Sequence, residues 1–157
     1  MKKMKTILII LAPILLFSCG FKPINEKGKN LIYLQNVKIE GEQRLSYTLR
    51  NNILLVSDKN STNRYDAKIK LDKQKNTKIK NKAGRVTRYN ITIYTSLVLT
   101  DLDNKNNIEK TFIQGADYDV AEIHSDTINN ENKAVKTIIQ QLSDDIINFI
   151  SLSARKK

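Results

Sequence analysis

The spacing of apolar positions changes several times along the chain, and each change marks an element. From Leu31 to Ile39, the residues Leu31, Tyr33, Val37 and Ile39 share one parity, which predicts a half-buried first strand. From Glu42 to Val56 the spacing lengthens. Leu45, Leu49 and Ile53 recur every fourth residue, with Leu54 and Val56 beside them, so this stretch reads as an amphipathic helix. Gly41 marks the turn before it, and acidic Glu42 suits the positive end of its dipole. Alternation returns at Tyr65, Ala67, Ile69 and Leu71, with Asp66, Lys68, Lys70 and Asp72 on the opposite face. It fades across 73–82. It resumes from Val86, where Tyr89, Ile91, Ile93, Thr95, Leu97 and Leu99 share a face. A further strand spans Ile108 to Val120, with Phe112, Ala116, Tyr118 and Val120 on one side. Gly115 within it signals a bulge or a close approach of another backbone. Thr127 to Leu152 is helical again, with an apolar stripe through Val135, Ile138, Ile139, Leu142, Ile146, Phe149 and Ile150. Ser125 or Asp126 is its predicted cap.

The order is strand, helix, three strands, helix. One-sided strands and one-sided helices bury each other in two layers. The predicted fold is α+β: a two-layer sandwich, with a four-stranded mixed sheet and both helices on one face. The first two strands are joined through a helix and can run parallel. The later connections read as antiparallel hairpins. A three-residue loop Lys82-Ala83-Gly84, with Gly84 left-handed, sets Ile69 opposite Leu97 and Ala67 opposite Leu99. A two-residue loop would set apolar residues against polar ones. The preferred register also puts Lys78 opposite Arg88, where like charges repel unless an anion lies between them.

The first 18 residues have the plan of a secretory signal. Lys2, Lys3 and Lys5 precede an apolar run from Thr6 to Phe17, and Ser18 precedes Cys19, the only cysteine. The run is about 18 Å long as a helix, too short for a hydrocarbon core of about 30 Å. Leu16-Phe17-Ser18-Cys19 resembles the lipobox of bacterial lipoproteins. That resemblance implies cleavage before Cys19, a diacylglycerol on its thiol and an acyl chain such as palmitate on the new amine. It also implies the outer membrane of a Gram-negative cell, because Gly20 rather than Asp follows the cysteine. An ordinary cleaved signal and an uncleaved anchor are the alternatives. The chain then divides into a signal peptide (1–18), a lipid-anchored tether with Pro23 and Gly28 (19–30) and one domain (31–157).

Charge sharpens this picture. The formal net charge is +11, and beyond the signal most of the excess lies in 64–88, where ten basic residues meet only Asp66 and Asp72. Such a patch suits an anionic partner. In the periplasm that partner is phosphorylated lipid rather than nucleic acid.

Across the mature chain the order of motifs resembles the LptE family of lipopolysaccharide (LPS) assembly lipoproteins. The match rests on Cys19-Gly20-Phe21-Lys22-Pro23, on Leu49-Arg50-Asn51 in the first helix, on Gly115, Ala116 and Tyr118 in the last strand, and on Leu142-Ser143-Asp144-Asp145-Ile146 in the closing helix. The resemblance implies a non-enzymatic role. Such proteins plug the lumen of the outer-membrane barrel LptD, help it assemble, and bind LPS during its transport into the outer leaflet. The alternative is a free-standing outer-membrane lipoprotein that binds an anionic lipid or glycan by itself.

The predicted LPS contacts are Lys68, Lys70, Lys78, Lys80 and Arg88, which share even numbering and so one strand face. Lys82 extends that face. Lysines supply point charges, and Arg88 adds a bidentate fork. The plain alternative is a solvated hairpin, or one paired with acidic residues of a barrel. Enzymatic activity, a cofactor and a metal are not expected. His124, near Glu122 and Asp126, lacks the further His or Cys ligands that a zinc site needs. Ser125 beside it lacks a nucleophile elbow. Tyr89, Tyr94 and Tyr118 are expected in sheet packing or facing a barrel wall.

Overall fold

The computed structural model describes residues 32–155. The signal, Cys19, the tether and Leu31 lie outside the described residues. The elements are β1 (Tyr33–Glu40), α1 (Gln43–Leu54), β2 (Arg64–Lys80), β3 (Val86–Asp101), β4 (Asn107–Asp119) and α2 (His124–Arg155). Strand order in the sheet is β1-β2-β3-β4. β1 and β2 run parallel, and the other two pairs are antiparallel. This is the α+β architecture that the changes of period predict.

One core joins all six elements. Leu45, Leu49 and Ile53 of α1 and Ile138, Leu142, Ile146 and Ile150 of α2 pack with Ala67, Ile69, Ile91, Ile93, Leu97 and Leu99 of the sheet. Both helices therefore cover the face that carries the odd-numbered residues of β2 and β3. Asn52 of α1 donates to the Ser143 hydroxyl of α2 at 2.9 Å, and that buried hydroxyl donates to the Ile139 carbonyl at 2.7 Å. Among the described residues nothing covers the other face of the sheet, where Lys68, Lys70, Tyr94 and Ile113 are exposed.

The hairpin register is as predicted along most of its length. Ile69 pairs with Leu97 and Ala67 with Leu99. Gly84 has φ +78°, and the Asn81 N–H donates to the Arg85 carbonyl, which closes the three-residue loop. Near the tip the ladder departs from the expectation. It shifts between Thr77 and Ile79 and again between Ile79 and Lys80, so Ile79, not Lys78, pairs with Arg88. The two shifts cancel, and Lys80 pairs with Val86 in the original register.

Several element ends also differ, three of them with a clear physical reason. β2 runs unbroken to Lys80, although its apolar alternation stops at Leu71. Beyond that point its backbone is paired to β3, and Lys73, Lys75 and Lys78 find partners described below. α1 ends at Leu54 rather than Val56, because the next residues return to β1. The Ser57 hydroxyl accepts the Leu34 N–H at 2.9 Å, and the Asp58 N–H donates to the Ile32 carbonyl at 2.8 Å. α2 starts at His124, so the caps predicted at Ser125 or Asp126 fall inside it. The Ile123 carbonyl accepts the Asp126 and Thr127 N–H groups, and the Thr127 hydroxyl accepts the Ala121 N–H at 2.9 Å.

Gly41 connects β1 to α1 at φ +140°, and a Cβ there would stand 2.8 Å from the Leu71 carbonyl oxygen. Both facts require glycine. Gly115 marks a close approach and no bulge. The β3–β4 ladder is regular through Thr92 and Gly115, and an added Cβ would lie 3.2 Å from the Ile91 carbonyl oxygen.

Candidate functional site

The long β2–β3 hairpin carries the basic cluster, and its ion pairs decide which charges are free. At its base Arg64 pairs with Asp103 at 3.0 Å, and Lys68 lies 3.8 Å from Glu40. The Glu40 carboxyl is held below its usual range by a hydrogen bond from Lys38 and by the charge of Lys68. On the helix side Lys73 pairs with Glu42 at 2.5 Å and Lys75 with Glu131 at 2.7 Å. Near the tip Lys78 pairs with Asp117, and Arg88 binds Asp119 through both Nε (2.6 Å) and Nη2 (3.1 Å). The Lys78 and Arg88 bonds hold the Asp117 and Asp119 carboxyls below their ordinary range.

The anion expected between Lys78 and Arg88 is therefore supplied by the chain itself. β4 brings two carboxylates to the same face, one for each cation. The sequence carries a signal for this. Asp117 and Asp119 have the parity opposite to Phe112, Ala116 and Tyr118, so they must lie on the face away from the core.

Lys70, Lys80, Lys82 and Arg85 make no ion pair among the described residues. Three of these four surround the loop. That loop is held in one shape by Asn81, whose Oδ1 accepts the N–H groups of Ala83 and Arg85 at 3.0 Å each. Of the five predicted contact residues, Lys80 makes no ion pair among the described residues and Lys70 acts on Glu40 only at a distance, while Lys68, Lys78 and Arg88 are paired. Arg85 at the tip was not among the expected contacts. The free charge thus concentrates at the end of the arm rather than along one strand face.

Lys75 is a brace of a different kind. Its ammonium lies 4.5 Å from the Tyr89 ring centroid and 5.2 Å from that of Tyr118, and the two rings stack at 5.6 Å. Partial burial lowers its pKa, but hydrogen bonds to Glu131 and Tyr118 outweigh this and leave it raised. The Tyr118 hydroxyl donates to Glu131 at 2.8 Å. These contacts fasten the polar half of β2 to β4 and α2 where no apolar side chain does so. Tyr89 and Tyr118 are accordingly packing residues, while Tyr94 is exposed on the sheet face away from the helices.

His124 is the exposed first residue of α2, and no group of residues suited to a metal ion occurs among the described residues. Among those residues no helix is long and apolar enough to cross a membrane.

No family model matches the sequence, and no curated protein matches it. Solved structures do match the fold. A rare lipoprotein B from Shewanella oneidensis superposes with a TM-score of 0.60 at 13% identity, over 77% of this chain and 97% of that one. A protein assigned as a lipoprotein from Caulobacter crescentus gives 0.56 at 18% identity, over 83% and 96%. A minor lipoprotein from Acinetobacter baumannii gives 0.51 at 15% identity, over 81% and 95%. At these identities the likeness establishes a shared fold across nearly the whole of each relative.

Proposed function

We propose that this chain is an outer-membrane lipoprotein of the LPS transport machinery, of the LptE kind. In this reading Cys19 carries the lipid anchor. The domain occupies the lumen of an LptD-type barrel and helps it assemble. The hairpin tip contacts LPS phosphates on their way to the outer leaflet. The role is binding and assembly, without a catalytic step.

The observation that carries the LPS part is the tip. Lys80, Lys82 and Arg85 lie around a loop fixed by Asn81 and have no carboxylate partner among the described residues. Unpaired cations around a loop of fixed shape are suited to phosphate oxygens. The anchoring part is supported by the lipobox at Cys19 and by the fold shared with proteins named as lipoproteins.

The test exchanges Lys80, Lys82 and Arg85 together for Gln. Lys78 and Arg88 are left in place because they hold β4. We expect weaker LPS binding with a flatter salt dependence, since exposed charge contacts are screened within about 8 Å at physiological salt. Capture of the barrel in a pull-down should persist. Unchanged LPS affinity would remove the tip from LPS contact. Loss of barrel capture with LPS affinity retained would make the tip a protein–protein contact. A monomer that binds anionic vesicles and captures no barrel would establish the free-standing alternative. Finding an unmodified Cys19 thiol in the mature protein by mass spectrometry would refute the anchor.

A further inference from the structure

A second group of free cations lies on the helix side of the sheet. There α1, α2 and Lys73 of β2 enclose a half-open cleft of about 550 Å³. Val135, partly exposed, is the main apolar residue of its lining, with the edges of the buried Leu45 and Ile139 beside it. Two carboxylates line it, and each already holds a lysine: Glu42 holds Lys73, and Glu131 holds Lys75. Arg44, Lys133 and Lys136 also line it, and none of them makes an ion pair among the described residues. Lys133 and Lys136 are three apart on α2 and so are neighbours on its surface. The first turn of α1, which has no side-chain cap, adds the positive end of its dipole. The cleft therefore combines an apolar strip around Val135 with a surplus of three positive charges.

We propose that this cleft binds a single-chain anionic amphiphile, an alkyl or acyl chain ending in phosphate or carboxylate. The chain lies along Val135 and the edges of Leu45 and Ile139, and the head group meets Arg44, Lys133 and Lys136. The volume falls within the range of small-ligand sites, about 300–1,000 Å³. It has room for one chain and a small head but not for a lipid of several chains. Charge complementarity selects an anionic head over a neutral or cationic one. The site is separate from the hairpin tip and does not depend on the LPS reading.

The test uses the full chain in nanodiscs of zwitterionic lipid and octyl phosphate, which is monomeric in water. A diazirine-bearing octyl phosphate is crosslinked by light, and labelled peptides are mapped by mass spectrometry. We expect label on the segments around Arg44–Thr48 and Asn129–Ile139, competed by octyl phosphate and by octanoate. Inorganic phosphate and octyl trimethylammonium should not compete. Competition by one anion alone would identify the head group, phosphate or carboxylate. Exchanging Arg44, Lys133 and Lys136 for Gln should lower labelling about tenfold. Thr48→Trp, at an exposed position lining the cleft, should block it while leaving all three charges in place. Both variants alter exposed residues and should melt as the wild type does. Label spread over the surface, or undiminished in the Gln variant, would overturn the proposal. So would labelling that falls in the Gln variant but persists in Thr48→Trp, because that pattern describes an anion on an open surface.

Discussion

Thr95 lies in the middle of the core face of β3. It is fully buried, and its hydroxyl has no hydrogen-bond partner among the described residues. A buried hydroxyl without a partner loses its hydration and gains nothing in return. Thr95→Val keeps the branched shape that suits a strand and removes that hydroxyl. We expect it to stabilise the domain by about 1 kcal/mol, read as a higher midpoint in urea denaturation. A lower midpoint would mean that the hydroxyl is satisfied in solution. The parity of β3 made Thr95 legible as a core-facing position. The missing partner was not legible, because it depends on what α2 and β4 place around that side chain. Gly41 is similar. The change of period marked a turn there, but its need for glycine arises from Leu71, thirty residues later and across the fold.

Among the elements, the outer half of the hairpin is held differently from the inner half. Ile69 and Leu97 are buried under the helices, whereas 72–80 is exposed throughout. There the ladder is supported by Lys75 over two tyrosine rings and by the Lys78–Asp117 and Arg88–Asp119 pairs. The folded state lowers the Asp117 and Asp119 pKa values relative to their ordinary value of about 3.9. Their stabilisation is complete above that value and is lost as the pH falls through the lowered folded values. We predict that cross-strand NMR contacts between β3 and β4 near Arg88 and Asp119 weaken as the pH is lowered below the ordinary aspartate value of about 3.9, while those around Ile69 and Leu97 persist. Equal loss along the whole hairpin would show that the carboxylates are not what holds its outer half. This division explains what the sequence revealed. Apolar periodicity exposed α1, α2 and the inner strands, since burial is what it encodes. It faded on β2 at Lys73 because the outer half of that strand is fixed by a backbone ladder, ion pairs and ring contacts, none of which has a period, while Ile91 and Ile93 keep the alternation on β3. The cancelling shifts around Ile79 likewise leave no mark on the alternation.

At the scale of the molecule, all six elements share one core, so its loss should be all-or-none. Leu142 is fully buried at its centre. Leu142→Asp places an unpaired charge there, and we expect the cooperative thermal transition to disappear. An unchanged melt would contradict the arrangement of α2 over the sheet. The parallel pairing of β1 with β2 has one further consequence, and it concerns reach. Because the two strands run the same way, with Tyr33 beside Arg64, the described chain enters at the end of the sheet farthest from the hairpin loop. β2 has 17 residues, so the distance from that entry to the loop is about 55 Å at roughly 3.3 Å per residue. Spin labels at Gln35→Cys and Lys82→Cys should report a separation near that length. A bilayer with its head groups is about 40–45 Å thick. In the proposed reading, a domain standing upright from an anchor in the periplasm-facing leaflet would carry Lys82 and Arg85 to the depth of the opposite leaflet without any moving part.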